Sequence, residues 1–230
     1  ARHGVTGITD ATPSNNETTE TQFREHGVLQ RITLMGGDSL PAGSLKIILD
    51  DYSLPEVDIL RDRIVAAHQN ARPVAFHCVT RTELIFALSV LMEAGCFPGD
   101  RIEHASVTDS SAMNLLVDAG VTVVTQPNLI AERGDQYLLD VKAADHSFLY
   151  RCRGFLHAGV PLGGGTDAPY GKPDPWAAMR AAVTRTTVGG RIIGAQESLT
   201  PEQSLALFTT PSGNPGGSPR KIAVGEPADL

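Results

Sequence analysis

A chain of 230 residues, 41% of them hydrophobic, can bury a substantial core and reads as a single domain, which excludes a disordered segment. Its net charge of -7, with no basic cluster, excludes nucleic acid or an anionic membrane as the main partner, because either needs grouped cations. Cys78, Cys96 and Cys152 are too few and too scattered for a disulfide framework or a thiolate zinc site. With no apolar run of membrane-spanning length and no apolar signal core at the amino end, the expectation is a cytoplasmic protein.

Short runs rich in β-branched residues alternate with helical patterns, the signature of parallel β/α architecture. In chain order the expected strands are Val5 to Thr9, Leu29 to Met35, Leu45 to Leu49, Val74 to His77, Ile102 to His104, Val121 to Thr125 and Leu162 to Asp167. That is seven parallel strands, where a closed barrel needs eight. Expected helices cover Glu56 to Asn70, Thr82 to Ala94, Asp109 to Ala119, Phe148 to His157 and Asp174 to Thr187, each with apolar residues near three-to-four spacing. Gly95, Gly120 and Gly159 stand where three of these should stop, as left-handed carboxyl caps. The stretch from Gly36 to Gly43 is too glycine-rich and short for a helix and reads as a loop. A last helix starts at Thr200-Pro201, a threonine cap followed by proline at the first helical position. After a Ser/Gly/Asn/Pro loop, Lys221 to Leu230 reads as a strand entering another layer.

Three segments end apolar runs in metal-binding residue types: Pro73 to His77, Arg101 to His104 and Gly163 to Asp167. A parallel barrel gathers the carboxyl ends of its strands on one rim, so residues distant in sequence can converge there on a metal. In the first segment Phe76 and Cys78 face one way and His77 the other. In the second, Glu103 and His104 point to opposite faces, so His104 can face the barrel centre while Glu103 packs toward the helices. Asp167 stands at the last strand's mouth, as a ligand and proton shuttle or as a simple turn cap. The glycines before it fit no nucleotide fingerprint. Lys46 interrupts an apolar strand. An ammonium there must be paired or reach solvent, unless carbon dioxide converts it into an anionic carbamate ligand.

Together Lys46, His77, Arg101-Ile102-Glu103-His104-Ala105 and Thr166-Asp167-Ala168-Pro169 resemble the metal-dependent amidohydrolase superfamily, most closely its amidohydrolase family 3 branch. The closing Val224-Gly225-Glu226-Pro227-Ala228-Asp229-Leu230 is similar to the strand that returns from that family's barrel to its small β-sandwich. The resemblance implies a TIM-type (β/α)8 barrel lacking its first strand over residues 1–210, with 211–230 as linker and stub of the sandwich. It implies a divalent metal, taken as zinc, held by a carboxylated Lys46, His77, His104 and Asp167. Asp167 would pass a proton from metal-activated water to the leaving nitrogen of a small-molecule amide or related C-N substrate.

The departures matter too. The family opens its barrel with a His-x-His pair, which this sequence lacks. The chain therefore reads as a fragment holding at most one metal, with little or no turnover of its own. Arg81, in place of the family's usual residues after the strand-five histidine, could bind a substrate carboxylate or simply start a helix. Gln126-Pro127-Asn128 could contact substrate through its amides or simply turn. Competing readings are a mononuclear deaminase of the same superfamily, an empty barrel fragment that self-associates through unpaired strand edges, and a metal-free small-molecule binding protein.

Overall fold

A computed structural model describes residues 3–40 and 42–225. Seven strands run β1 (Gly7–Asp10), β2 (Arg31–Leu34), β3 (Leu45–Ile48), β4 (Val74–Cys78), β5 (Arg101–His104), β6 (Thr122–Thr125) and β7 (Leu162–Gly164). Each falls where the β-branched runs place it. All pairings are parallel: β1 with β2, and β3 through β7 side by side in sequence order. The barrel is not closed. The two sheets meet through one parallel bridge, Gly36 to Leu45.

Helices cover the outer face: α1 (Glu17–Glu25), α2 (Val57–Gln69), α3 (Arg81–Ala94), α4 (Ser110–Ala119), α5 (Asn128–Asp140), α6 (Arg153–Ala158), α7 (Pro175–Thr184) and α8 (Pro201–Thr209). The core lies between sheet and helices, where Ile47, Val74, Phe76, Ile102, Val123 and Leu162 meet Leu84, Leu88 and Leu116. Burying each such side chain stabilises the fold by roughly 1.5–3 kcal/mol. Gly120 and Gly159 cap α4 and α6 in the left-handed conformation, and Gly95 ends α3 at positive φ with an extended ψ. At α8 the threonine cap is completed by Gln203, which closes a capping box with Thr200.

Three expectations need correction. Helices α1 and α5 were not foreseen: α1 buries no residue and so lacks an apolar stripe, and α5 begins directly behind β6 and contains Gly134. That glycine allows close packing, since a Cβ there would lie 2.7 Å from Thr187. The helix expected over Phe148 to His157 is cut back to the short α6, with a 3-10 turn (Ala143–Phe148) ahead of it. Arg185, fully buried, takes the carbonyls of Leu149 and Tyr150 at 2.7 Å each, removing them as helical acceptors. The strand expected from Lys221 forms none over Lys221 to Gly225, and Glu226 to Leu230 lie outside the described residues.

The stretch from Gly36 to Gly43 has no helix among its described residues, as its composition implies. Gly43 is obligatory there: at φ 73° a Cβ would sit 1.9 Å from the Leu34 carbonyl oxygen.

Candidate metal centre at the carboxyl ends of the strands

Alternation along β4 sends Val74, Phe76 and Cys78 into the helix-facing core, each fully buried, and turns Ala75 and His77 inward. The register pairs Phe76 with Ile102 and His77 with Glu103. Glu103 therefore shares the inner face with His77, contrary to the expectation that it packs against the helices. There it accepts a hydrogen bond from Arg101 Nε at 2.6 Å, and both side chains are buried. Strict alternation would then push His104 outward. The backbone prevents this by turning left-handed at His104 (φ 72°) and Ala105 (φ 48°), conformations that bulky residues adopt at a cost. The His104 ring meets His77 edge-on, with centroids 4.4 Å apart and planes at 72°.

Both imidazoles are held neutral. Burial, then the neighbouring Lys46 charge, lowers His77 to about 4. Burial, then His77 and Lys46, lowers His104 to about 3. Neutral rings present lone pairs, and the Gln126 side chain lies close enough to the His104 ring to oppose the fall in its pKa by a hydrogen bond. Lys46 is 4% exposed and enters no ion pair among the described residues. Its pKa is lowered chiefly by burial, against the opposing pull of Glu103. Asp167 follows β7 at φ 55°, its carboxyl raised by burial and held back by the Lys46 charge. Its turn is tied to α5, because Asn128 Nδ2 donates to the Thr166 carbonyl at 3.0 Å.

The structure thus brings His77 and His104 into contact and couples Lys46 electrostatically to both and to Asp167. It does not gather a third acidic or thiol ligand: among the described residues no three His, Cys, Asp or Glu side chains form a group able to hold a metal ion. The donor chemistry fits a divalent metal as two neutral imidazoles of an incomplete shell, electrostatically coupled to the Lys46 amine.

Arg81 opens α3 and is spent within the protein, on Asp145 and on Asp109 at 3.3 Å, so the plainer of its two readings holds. Gln126 and Asn128 direct their amide nitrogens to the Val124 and Thr166 carbonyls, leaving Asn128 Oδ1 buried without a partner among the described residues. Arg81 Nε and Arg133 Nε likewise make no hydrogen bond among the described residues. All three residues follow β4 or β6, so unmet hydrogen-bonding capacity lies near this rim. Glu103 and Arg133 escape sequence reasoning. Only the register and the left-handed turn at His104 reveal the first, and only the unforeseen α5 places the second.

The two depressed imidazoles are expected to cost stability in acid. Between an unfolded value of 6.5 and folded values near 4 and 3, the unfolded chain binds more protons, so stability falls as pH drops through that window. The slope is at most about 1.4 kcal/mol per pH unit for each ring, less for His77, which solvent partly reaches. Denaturation midpoints should decline from about pH 6.5 downward, more steeply than in a variant carrying glutamine at both positions. Matching slopes would contradict the burial argument.

A family model described as the amidohydrolase family matches residues 10–230. An N-substituted formamide deformylase from Arthrobacter pascens is 28% identical over 110 residues, 47% of this chain and 20% of that protein. The crystal structure of an uncharacterized metal-dependent hydrolase from Pyrococcus horikoshii OT3 superposes with a TM-score of 0.76 at 20% identity, covering 94% of this chain and 55% of that one. That of another from Pyrococcus furiosus gives 0.74 at 20% identity, covering 99% and 56%. The chain spans about half the length of these structures and a fifth of the deformylase, and the superpositions establish the fold.

Proposed function

The chain belongs to the amidohydrolase family, and from that premise we propose that it carries much of the active site of a zinc-dependent hydrolase of amides or other non-peptide C-N bonds. The observation that supports this most is the edge contact of two neutral imidazoles, His77 and His104, at the carboxyl ends of adjacent strands. Imidazole donors suit zinc, which when bound supplies activation of water and polarisation of the substrate carbonyl.

This chain's residues supply the remainder. His77 and His104 would hold the ion, and the Arg101–Glu103 pair beneath them keeps the inner wall charged and filled. Asp167, whose carboxyl holds a proton more readily than an ordinary aspartate, would take one from the attacking water and deliver it to the leaving nitrogen. Lys46, whose pKa burial lowers, would as a carbamate be a further anionic ligand and raise the capacity from one ion to two. The 230-residue chain alone should turn over little or no substrate, since it holds no His-x-His pair to complete the shell. The similarity to an N-substituted formamide deformylase makes N-substituted formamides the first substrates to try.

The test is hydrolysis by the full-length protein before chelation, after chelation and after zinc is restored, with metal content measured on the same samples. Activity should vanish and return with zinc. Two ions per chain would mark the carbamate form and one the mononuclear form, while chelation that leaves hydrolysis untouched would overturn the proposal.

A further inference from the structure

Arginines around the rim are mostly spoken for. Arg81, Arg101 and Arg151 meet Asp109, Glu103 and Glu197, and Arg185 gives its donors to backbone carbonyls. Arg133 differs. It lies on α5, behind β6, and enters no ion pair among the described residues. The acids near it in sequence are engaged elsewhere: Glu132 accepts from Lys172 N and Asn128 Nδ2, and Asp135 from Thr187 and Arg191. Its Cζ sits 3.7 Å from the centroid of the Tyr170 ring, and Nη2 donates to the Tyr170 carbonyl at 3.0 Å. Tyr170 is three residues past Asp167, in a turn closed by the Gly171 N–H donating to the Asp167 carbonyl at 2.8 Å. The guanidinium is therefore fixed beside the segment that carries Asp167.

Stacking on Tyr170 occupies a face of the guanidinium and the Tyr170 carbonyl takes Nη2, yet no carboxylate among the described residues neutralises the charge. Nε is buried and has no hydrogen-bond partner among the described residues. A half-buried cation without a counter-charge is costly to keep unless a ligand supplies one, and a planar fork matches a carboxylate. In a chain of net charge -7, drawing an anion to this rim requires such a local cation.

We propose that Arg133 is the specificity-determining cation of the site, holding a carboxylate or similar planar oxyanion of the substrate beside Asp167, with Tyr170 fixing the guanidinium plane. This rests on the hydrolase reading and narrows its substrates to C-N compounds that carry an anionic group. Arg81, for which the sequence left this duty open beside a plain helix start, is already paired with Asp109 and Asp145 within the fold.

The test compares succinamate with succinamide, which differ only in a carboxylate against an amide, by calorimetric titration into full-length protein stripped of metal by chelation. Stripping keeps the carboxylate from reporting on bound metal instead. Succinamate should bind about tenfold more tightly or better, the preference should fall below about threefold in Arg133→Gln, and Arg81→Gln should keep it. Arg133→Lys, with the charge but without the fork, should show an intermediate preference and serves where Arg133→Gln does not fold. Equal affinity for the two compounds, including binding of neither, overturns the proposal, as does a preference that survives in Arg133→Gln. Failure of the metal-loaded protein to hydrolyse any amide would sink the hydrolase reading while leaving this binding result to stand or fall by itself.

Discussion

Asp167→Asn in the full-length protein is expected to lower kcat by roughly 10²–10⁴-fold, the range that a positioned proton-transfer group contributes. The amide keeps the shape of the side chain but cannot accept a proton at neutral pH. Nothing that holds the turn in place is lost, because the contacts fixing it use backbone: the Gly171 N–H donates to the Asp167 carbonyl, and Asn128 donates to the Thr166 carbonyl. Burial raises the Asp167 carboxyl and the Lys46 charge restrains it, a balance suited to receiving and releasing a proton. KM and zinc content should therefore change little beside kcat. A variant that keeps its zinc and loses less than about threefold in kcat would remove Asp167 from the chemistry.

The seven strands were readable because each is a short apolar run bounded by glycine, proline or a polar turn, and His77 sits where alternation sends it. Periodicity could not show α1, whose single large apolar residue is Phe23, or α5, whose buried Leu129 and Ile130 directly follow the expected turn at Gln126 to Asn128. With α5 hidden, Arg133 could not be seen as part of the rim. Alternation also misplaced Glu103. A left-handed backbone at a histidine leaves no mark in the sequence, yet that turn lets Glu103 and His104 reach the same side of the sheet. The fate of Arg81 was equally illegible, since its partner Asp145 lies 64 residues away in a 3-10 turn. Residue types at strand ends nominated the site, whereas register and long-range pairing determined which charges face it.

The account depends on His77 and His104 acting as a pair of metal ligands. Two rings in edge contact, both neutral near pH 7, form the imidazole donor pair at the carboxyl ends of β4 and β5. Losing both should therefore remove the ion, where changing a group that merely supports a ligand costs about 10–100-fold in affinity. The decisive measurement is a zinc titration of the full-length protein beside His77→Ala with His104→Ala, with circular dichroism confirming that both are folded. Saturable zinc uptake by the native protein, reduced by more than about 100-fold in affinity or abolished in the double variant, is the predicted result. Equal uptake by the two folded proteins would contradict it.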